Sequence, residues 1–164
     1  MRFGFGVLLG IILLAQGIAN EAIPMSVVQL TQRAELVVRG KVEGKSVLRD
    51  GEGRIYTEVK LAVTEVWKGD PKKPLVRVVH GGGILGEQKV TALGQVAYEV
   101  GEEVVGFFVW NQRGEAVTLS MSQGKFLLKR AEAGKVEVSN PFHGGKAKAL
   151  MLDDLKTRVK ESLR

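Results

Sequence analysis

Two long runs of alternating apolar and polar residues, joined by a glycine turn, constrain this chain more than any other feature. In the first run Leu36, Val38, Gly40 and Val42 share one face. The second run places apolar or neutral residues on one face: Ile55, Thr57, Val59, Leu61 and Val63. Alternation with a period of two residues is typical of a half-buried strand. The sequence 50–53 (DGEG) between the runs is typical of a hairpin turn. Residues 34–69 therefore predict a hairpin of two long strands.

The alternation slips near the end of the second strand. Glu65 occupies the next position of the apolar face, and we expect Val66 to take the buried position instead. A change of phase within a strand is typical of a β-bulge, so we predict a bulge or sharp coil near Thr64. Long coiled strands of this kind close small barrels.

The remaining segments add shorter strands and helical structure. Residues 104–110 (VVGFFVW) are apolar without alternation, which predicts a central strand buried on both faces. Further strands are expected at 75–80, 115–119, 125–130 and 136–138. A helical turn is expected within 20–32, and the spacing of Leu152, Leu155, Val159 and Leu163 predicts a C-terminal helix over about 153–163. We expect this helix to pack over an open end or face of the barrel.

The first nineteen residues have the features of an export signal. Arg2 precedes an apolar run that ends in the small residues Gly17 and Ala19. We expect cleavage after Ala19, with cleavage after Gly17 as the alternative, so that the mature protein is periplasmic or secreted. The run is shorter than the ~20 residues that span a bilayer, and we expect no stable membrane insertion after cleavage. A signal that stays uncleaved would instead tether the protein to the membrane.

Composition then limits the organisation and the partners of residues 20–164. This length suits one domain with one core. The chain contains no cysteine, so an exported domain has no disulfides and depends on its core for stability. The net charge is +6, but acidic and basic residues are mixed along the strands, and the run KGDPKK at 68–73 reads as a solvated loop. We therefore expect no nucleic-acid partner.

Three sequence blocks resemble the netrin-like, or tissue-inhibitor-of-metalloproteinase-like, domain. They are AELVVRGKV, YTEVKLAVTEVWKGD and GEEVVGFF, which lie between Ala34 and Phe107. Together with a QGKF block at 123–126, the same blocks also resemble a group of exported bacterial proteins. The resemblance implies a mainly β fold: a small OB-type barrel, closed or partly open, with C-terminal helical structure. Inhibitors of that family chelate the protease zinc through an N-terminal cysteine, which this chain lacks, so their inhibitory residues are not carried over.

Two short motifs are typical of hydrolases and metal sites. His80, Gly81, Gly82 and Gly83 spell the HGGG of an esterase oxyanion hole, and SMSQG around Ser122 is one glycine short of a nucleophile elbow. However, the order of acid and histidine downstream does not fit that mechanism. His80 and His143 are the only histidines, and without cysteines or a spaced carboxylate cluster they do not make a closed zinc site.

Two function hypotheses follow. The first is a non-catalytic exported binding module without a cofactor, in which the glycine-rich segment 80–101, expected to be a long mobile connection, is presented to an envelope protein or polymer. Its candidate partner-binding residues are His80, Gly81, Gly82, Gly83, Trp67 and Trp110. Each tryptophan stands at a strand end, where it either lines a ligand groove or caps the core. The alternative is a small hydrolase or metal-dependent enzyme that uses His80, His143 or Ser122.

Overall fold

The computed structural model describes residues 23–92, 95–143 and 150–164, and the expected export signal at 1–19 lies outside them. The chain is mainly β. Its strands are β1 (Leu36–Arg49), β2 (Ile55–Lys68), β3 (Leu75–Gly81), β4 (Gly83–Leu85), β5 (Gln88–Val90), β6 (Glu103–Trp110), β7 (Ala116–Thr118), β8 (Lys125–Arg130), β9 (Val136–Ser139) and β10 (Leu150–Met151). Its helices are α1 (Val27–Arg33) and α2 (Leu152–Glu161), and 3-10 turns lie at Met121–Gly124 and Glu132–Gly134. Neither of these α-helices has the length and apolar character needed to span a membrane.

The predicted hairpin is formed by β1 and β2, and the predicted bulge is present. Gly40 pairs with Val63 and Arg39 pairs with Glu65, so Thr64 between them has no partner on β1. The burial expected for Val66 is wrong: its side chain is 40% exposed. Val66 pairs with Val38 of β1, but pairing between β2 and β3 ends at Ala62, so β3 does not lie beside Val66 on its other side.

The sheet nearly closes on itself. Its strands run in the order β1-β2-β3-β7-β6, and β6 also pairs with β1. Every pairing in this ring is antiparallel except the one between β3 and β7, which consists of a single parallel pair, Val78 with Ala116. Arg77 lies beside this pair, and its guanidinium contacts Glu58 at 2.8 Å and the buried Glu115 at 2.9 Å. The contact between β3 and β7, which we call the seam, therefore has few backbone hydrogen bonds, and the Arg77 side chain bridges it.

β6 separates two apolar cores, as a strand buried on both faces must. Val104 and Phe108 belong to an interior core that also contains Leu36, Val38, Val42, Val59, Leu61, Val76, Val78, Val96, Tyr98 and Ala116. Val105 and Phe107 belong to a helix-side core that also contains Val27, Leu30, Ala34, Val37, Trp67, Phe126, Val138, Leu152, Leu155 and Val159. The prediction that 104–110 is the central strand is confirmed.

Both helices pack on the outer face of the sheet. α1 begins at a capping box in which the Ser26 hydroxyl accepts from the Gln29 N–H at 3.2 Å, and the Gln29 side chain accepts from the Ser26 N–H at 2.9 Å. α2 has Asp153 and Asp154 in its first turn and Lys160 in its last, which matches the helix dipole. The predicted C-terminal helix is therefore confirmed, and it covers a face of the sheet.

The segment 80–101 contains more secondary structure than the sequence suggested. Its described residues form the β4–β5 hairpin, in which Gly83 pairs with Val90. Farther on, Val96 and Tyr98 enter the interior core, and Tyr98 is fully buried. The described residues of the expected long connection therefore include a hairpin and a buried aromatic ring that packs on the sheet, and their mobility stays a prediction.

Candidate functional site

A cleft of about 310 Å³ lies where β3 ends, beside the glycine-rich segment. Apolar side chains supply most of its lining, and three polar side chains interrupt them. The lining residues are Val79, His80, Gly81, Ala92, Gln95, Val96, Val117, Thr118 and Met121. A mostly apolar concavity with a few polar groups is the usual form of a ligand site in a protein. Of the residues predicted from sequence, only His80 and Gly81 line it.

His80 is held at one side of this cleft by its neighbours. Its Nδ1 lies 3.2 Å from the Gln95 side-chain amide and 3.1 Å from the Gly81 carbonyl oxygen. Its ring stacks on Tyr98 with centroids 6.5 Å apart. Burial lowers the pKa of His80, and the nearby Lys45 acts in the same direction. The imidazole is therefore neutral at neutral pH. It forms one side of the cleft, where it is held by packing and by hydrogen bonding.

Tyr98 is the buried residue on which His80 stacks. Its hydroxyl lies 2.7 Å from the Thr118 hydroxyl, so the buried phenol has a hydrogen-bond partner. Burial raises the Tyr98 pKa, and the phenol stays protonated. The Lys125 ammonium lies 4.6 Å from the ring centroid and 2.6 Å from the Glu102 carboxylate. These contacts anchor Tyr98 beneath His80, which lines the cleft.

Of the three glycines after His80, Gly82 and Gly83 have packing roles, whereas a Cβ at Gly81 would make only an ordinary contact with Ala92 at 3.8 Å. Gly82 has φ +82°, and a Cβ there would lie 2.5 Å from the Val90 carbonyl oxygen. Gly83 has φ +143°, and a Cβ there would lie 2.7 Å from the Val47 side chain. The Gly82 N–H donates to Ile55 O at 2.9 Å, and its carbonyl accepts from the Thr57 hydroxyl at 2.7 Å. Because its N–H is already bonded, Gly82 does not supply an oxyanion-hole donor.

Backbone strain borders the cleft on its other side. Ser120 and Met121 have φ values of 50° and 58°, in the left-handed region that non-glycine residues rarely adopt. The Ser120 hydroxyl contacts the Met25 sulfur at 2.9 Å, and the Gly124 N–H donates to Leu119 O at 3.0 Å. The Met121 side chain is 52% exposed although it is apolar. Strain of this kind concentrates at functional sites.

The two tryptophans occupy different environments. Trp67 is 2% exposed and lies in the helix-side core, so it caps the core and is not available to a partner in the folded protein. Trp110 is partly buried against the interior core, and the Lys72 ammonium lies 5.3 Å from its ring centroid. The structure therefore brings neither tryptophan into the lining of the cleft.

The two histidines lie on opposite sides of the sheet. His143 packs on Phe126 of the helix-side core with ring centroids 5.2 Å apart, whereas His80 packs on Tyr98 of the interior core. Ser122 contributes its carbonyl to Asn140 at 3.5 Å, and its hydroxyl bonds to neither histidine in the described chain. Within 23–92, 95–143 and 150–164, no three His, Asp or Glu residues form a group that would hold a metal ion. The residues of the enzyme hypothesis are therefore not brought together.

Sequence reasoning missed Gln95, Thr118 and Met121, which complete the cleft, and Tyr98, which supports it. One signal for Tyr98 was available, because Val96 and Tyr98 alternate with Ala97 and Glu99 as in a half-buried extended segment. The strained backbone at Ser120 and Met121 carries no comparable signal. The same turn closes tightly at Gly124, where a Cβ would lie 2.7 Å from Leu119 O and 2.9 Å from Phe107 O of β6.

A scan against protein-family models and a search of curated proteins found no match to this chain.

Proposed function

We propose that this protein is a non-catalytic, exported binding module of the cell envelope, with an OB-type barrel that uses the cleft beside His80 to receive an apolar group of a protein partner. The observation that carries the proposal is the cleft itself. It combines an apolar lining, a neutral histidine and an exposed Met121 held on strained backbone.

The barrel assignment rests on strand order. Five strands follow one another in the ring β1-β2-β3-β7-β6 and return to β1. A five-stranded, partly open barrel is the architecture of the OB-fold, which commonly binds ligands at its loops and one face. α2, which lies outside the ring, agrees with the C-terminal helical structure that the netrin-like resemblance implies. Export rests on the sequence of residues 1–19.

A protein partner suits the surroundings of the cleft. Ile84 and Val90 of the neighbouring β4–β5 hairpin are 63% and 44% exposed, and each presents an apolar side chain on a different face of that hairpin. Exposed apolar side chains near a concavity are typical of protein interaction sites. An extended polysaccharide would instead be expected to meet a row of exposed aromatic rings, and the described lining of this cleft has no tryptophan or tyrosine.

The recognition step is tested by site-specific photo-crosslinking in envelope extract of the native host. A photoreactive residue replaces Met121 in the cleft lining. In the control variant the same photoreactive residue replaces Lys60, an exposed residue of β2. We expect a discrete protein adduct from position 121 and none from position 60. Filling the cleft with Ala92→Trp should abolish the adduct. Equal adducts from both positions, an adduct that persists in the filled variant, or an adduct digested by glycan hydrolases alone would contradict the proposal.

Export is tested separately by fractionation and N-terminal sequencing. Protein recovered from the periplasm or medium should begin at Asn20, or at Ile18 after the alternative cleavage. A chain that begins at Met1 in the membrane fraction would show an uncleaved anchor, and one in the cytoplasm would overturn the export proposal.

A further inference from the structure

A second and larger concavity lies on the outer face of the sheet, beyond the end covered by the helices. It measures about 890 Å³ and is separate from the cleft beside His80. Along β1, Val37 faces the helix-side core, and Arg39 and Lys41 follow it on the same face. Along β8, Phe126 faces that core, and Leu128 and Arg130 follow it. The concavity is therefore the uncovered half of the outer face, and we call it the open half.

The open half carries an excess of positive charge. Its four cations are Arg39, Lys41, Arg130 and Lys135, and its two acids are Glu102 and Glu103. Both acids are already paired, Glu103 with Arg39 at 3.0 Å and Glu102 with Lys125 at 2.6 Å. Lys41, Arg130 and Lys135 make no salt bridge with the residues that the structure describes. Three exposed cations thus converge on one groove.

The floor between these cations is partly apolar. Leu128 and Val136 are partly buried and lie next to the helix-side core. At the rim, Val100 is 61% exposed. The groove crosses four neighbouring strands, β1, β6, β8 and β9, a width of about 14 Å at ordinary strand spacing, which matches about four residues of extended chain. Its shape and composition therefore suit a short segment that has both negative charges and apolar side chains.

We propose that the open half binds an acidic, apolar-containing peptide segment of a partner protein in extended form. Carboxylates of the segment would pair with Lys41, Arg130 and Lys135, and its apolar side chains would cover Leu128, Val136 and Val100. Charge complementarity selects this occupant. Single-stranded nucleic acid requires aromatic platforms for its bases, and no aromatic residue lines the described groove. A flat membrane surface would reach the rim and leave the apolar floor uncovered.

The experiment is a fluorescence-anisotropy titration of the mature protein with a short fluorescein-labelled peptide of alternating glutamate and leucine. Two control peptides replace glutamate by lysine or leucine by serine. We expect the glutamate-leucine peptide to bind, the lysine peptide not to bind, and the serine peptide to bind more weakly. Added salt should weaken binding, because the cations are exposed.

Matched double variants locate the binding. Lys41→Gln with Arg130→Gln should weaken peptide binding about tenfold or more. Lys60→Gln with Lys89→Gln removes the same charge from exposed positions outside the groove and should leave binding unchanged. Thermal melting of each variant checks that it is folded, and Val136→Ser offers a second, neutral variant that should also weaken binding.

Several outcomes would overturn the proposal. They are the absence of binding by the glutamate-leucine peptide, equal loss in the two double variants, tighter binding of inorganic polyphosphate, and tighter binding of phosphatidylglycerol vesicles. Peptide binding to the open half should not involve the cleft beside His80. The variant with the filled cleft, Ala92→Trp, should therefore bind the peptide normally. Loss of crosslinking at position 121 with retained peptide binding would separate the two proposals.

Discussion

The interior core and the helix-side core are both built from apolar side chains, but they are assembled differently. Alternate residues of long strands supply the interior core, with Val96 and Tyr98 added from the segment before β6. The helix-side core draws on α1, α2, β9 and the far end of β2, which come from distant parts of the sequence. The interior is therefore specified by local alternation, whereas the helix-side core depends on which segments the fold brings onto the sheet.

The largest expected effect comes from a charge placed in the interior core. Leu61 is fully buried, and Leu61→Asp should lower the free energy of unfolding by about 3–5 kcal/mol, because the carboxylate has no buried partner. Lys60→Asp, on the exposed face one residue earlier, should cost little. Urea unfolding of both variants measures the difference, and equal midpoints would refute the assigned faces of β2.

A cavity in the helix-side core should have the next largest effect. Leu155→Ala in α2 removes a fully buried side chain and should cost about 2–4 kcal/mol. Thr157→Ala, at an exposed position of the same helix, is the control. Trp67 lies in the helix-side core and Trp110 beside the interior core, so fluorescence of single-tryptophan proteins follows each core. Separate transitions would show that the two cores unfold independently.

Removing the backbone strain in the turn between the cleft and Asn140 should change the stability less, and should raise it. Ser120→Gly relieves a left-handed residue and should raise stability by about 0.5–1 kcal/mol, after the entropy of the added glycine is subtracted. Ser122→Gly, which lies two residues later without positive φ, should lower it. Thermal melting compares the pair. A lower melting temperature for Ser120→Gly would mean that the hydroxyl contact with Met25 outweighs the strain.

The smallest effect is a pH dependence shared by both sides of the sheet. Burial lowers the pKa of His80, helped by Lys45, and that of His143, helped by Arg158. The unfolded chain therefore binds more protons below pH ~6.5, so stability is full above that pH and falls as the pH drops toward the folded-state pKa values. Melting temperatures at pH 7.5 and 5.5 should differ, and His80→Gln or His143→Gln should each reduce the difference. An unchanged difference in both variants would assign it to other groups.

The same contrast explains what could be predicted from the sequence. The β1–β2 hairpin, its bulge and α2 were predictable, because each is signalled by spacing within a few residues. The cleft was predicted only in part. Thr118 lies near His80 because β7 pairs with β3 at Ala116 and Val78, and Met121 follows three residues later, a contact that no local pattern encodes. From the sequence alone, Trp67 and Trp110 appeared equivalent. The bulge at Thr64 turns Trp67 toward the helices, and the residues next to Trp67 in the sequence do not signal this change of face.

The single parallel pair between β3 and β7 has a consequence for motion. A ring of strands opens where the fewest backbone hydrogen bonds must break, so the native protein should exchange amide hydrogens earliest along this line, through local opening that leaves β1 and β2 paired. The Arg77 side chain opposes that opening, because it contacts both Glu58 on β2 and Glu115 next to β7. Its guanidinium is about half exposed, so added salt should weaken these ion pairs and speed amide hydrogen exchange at the seam. The protection of the β1–β2 hairpin should not fall.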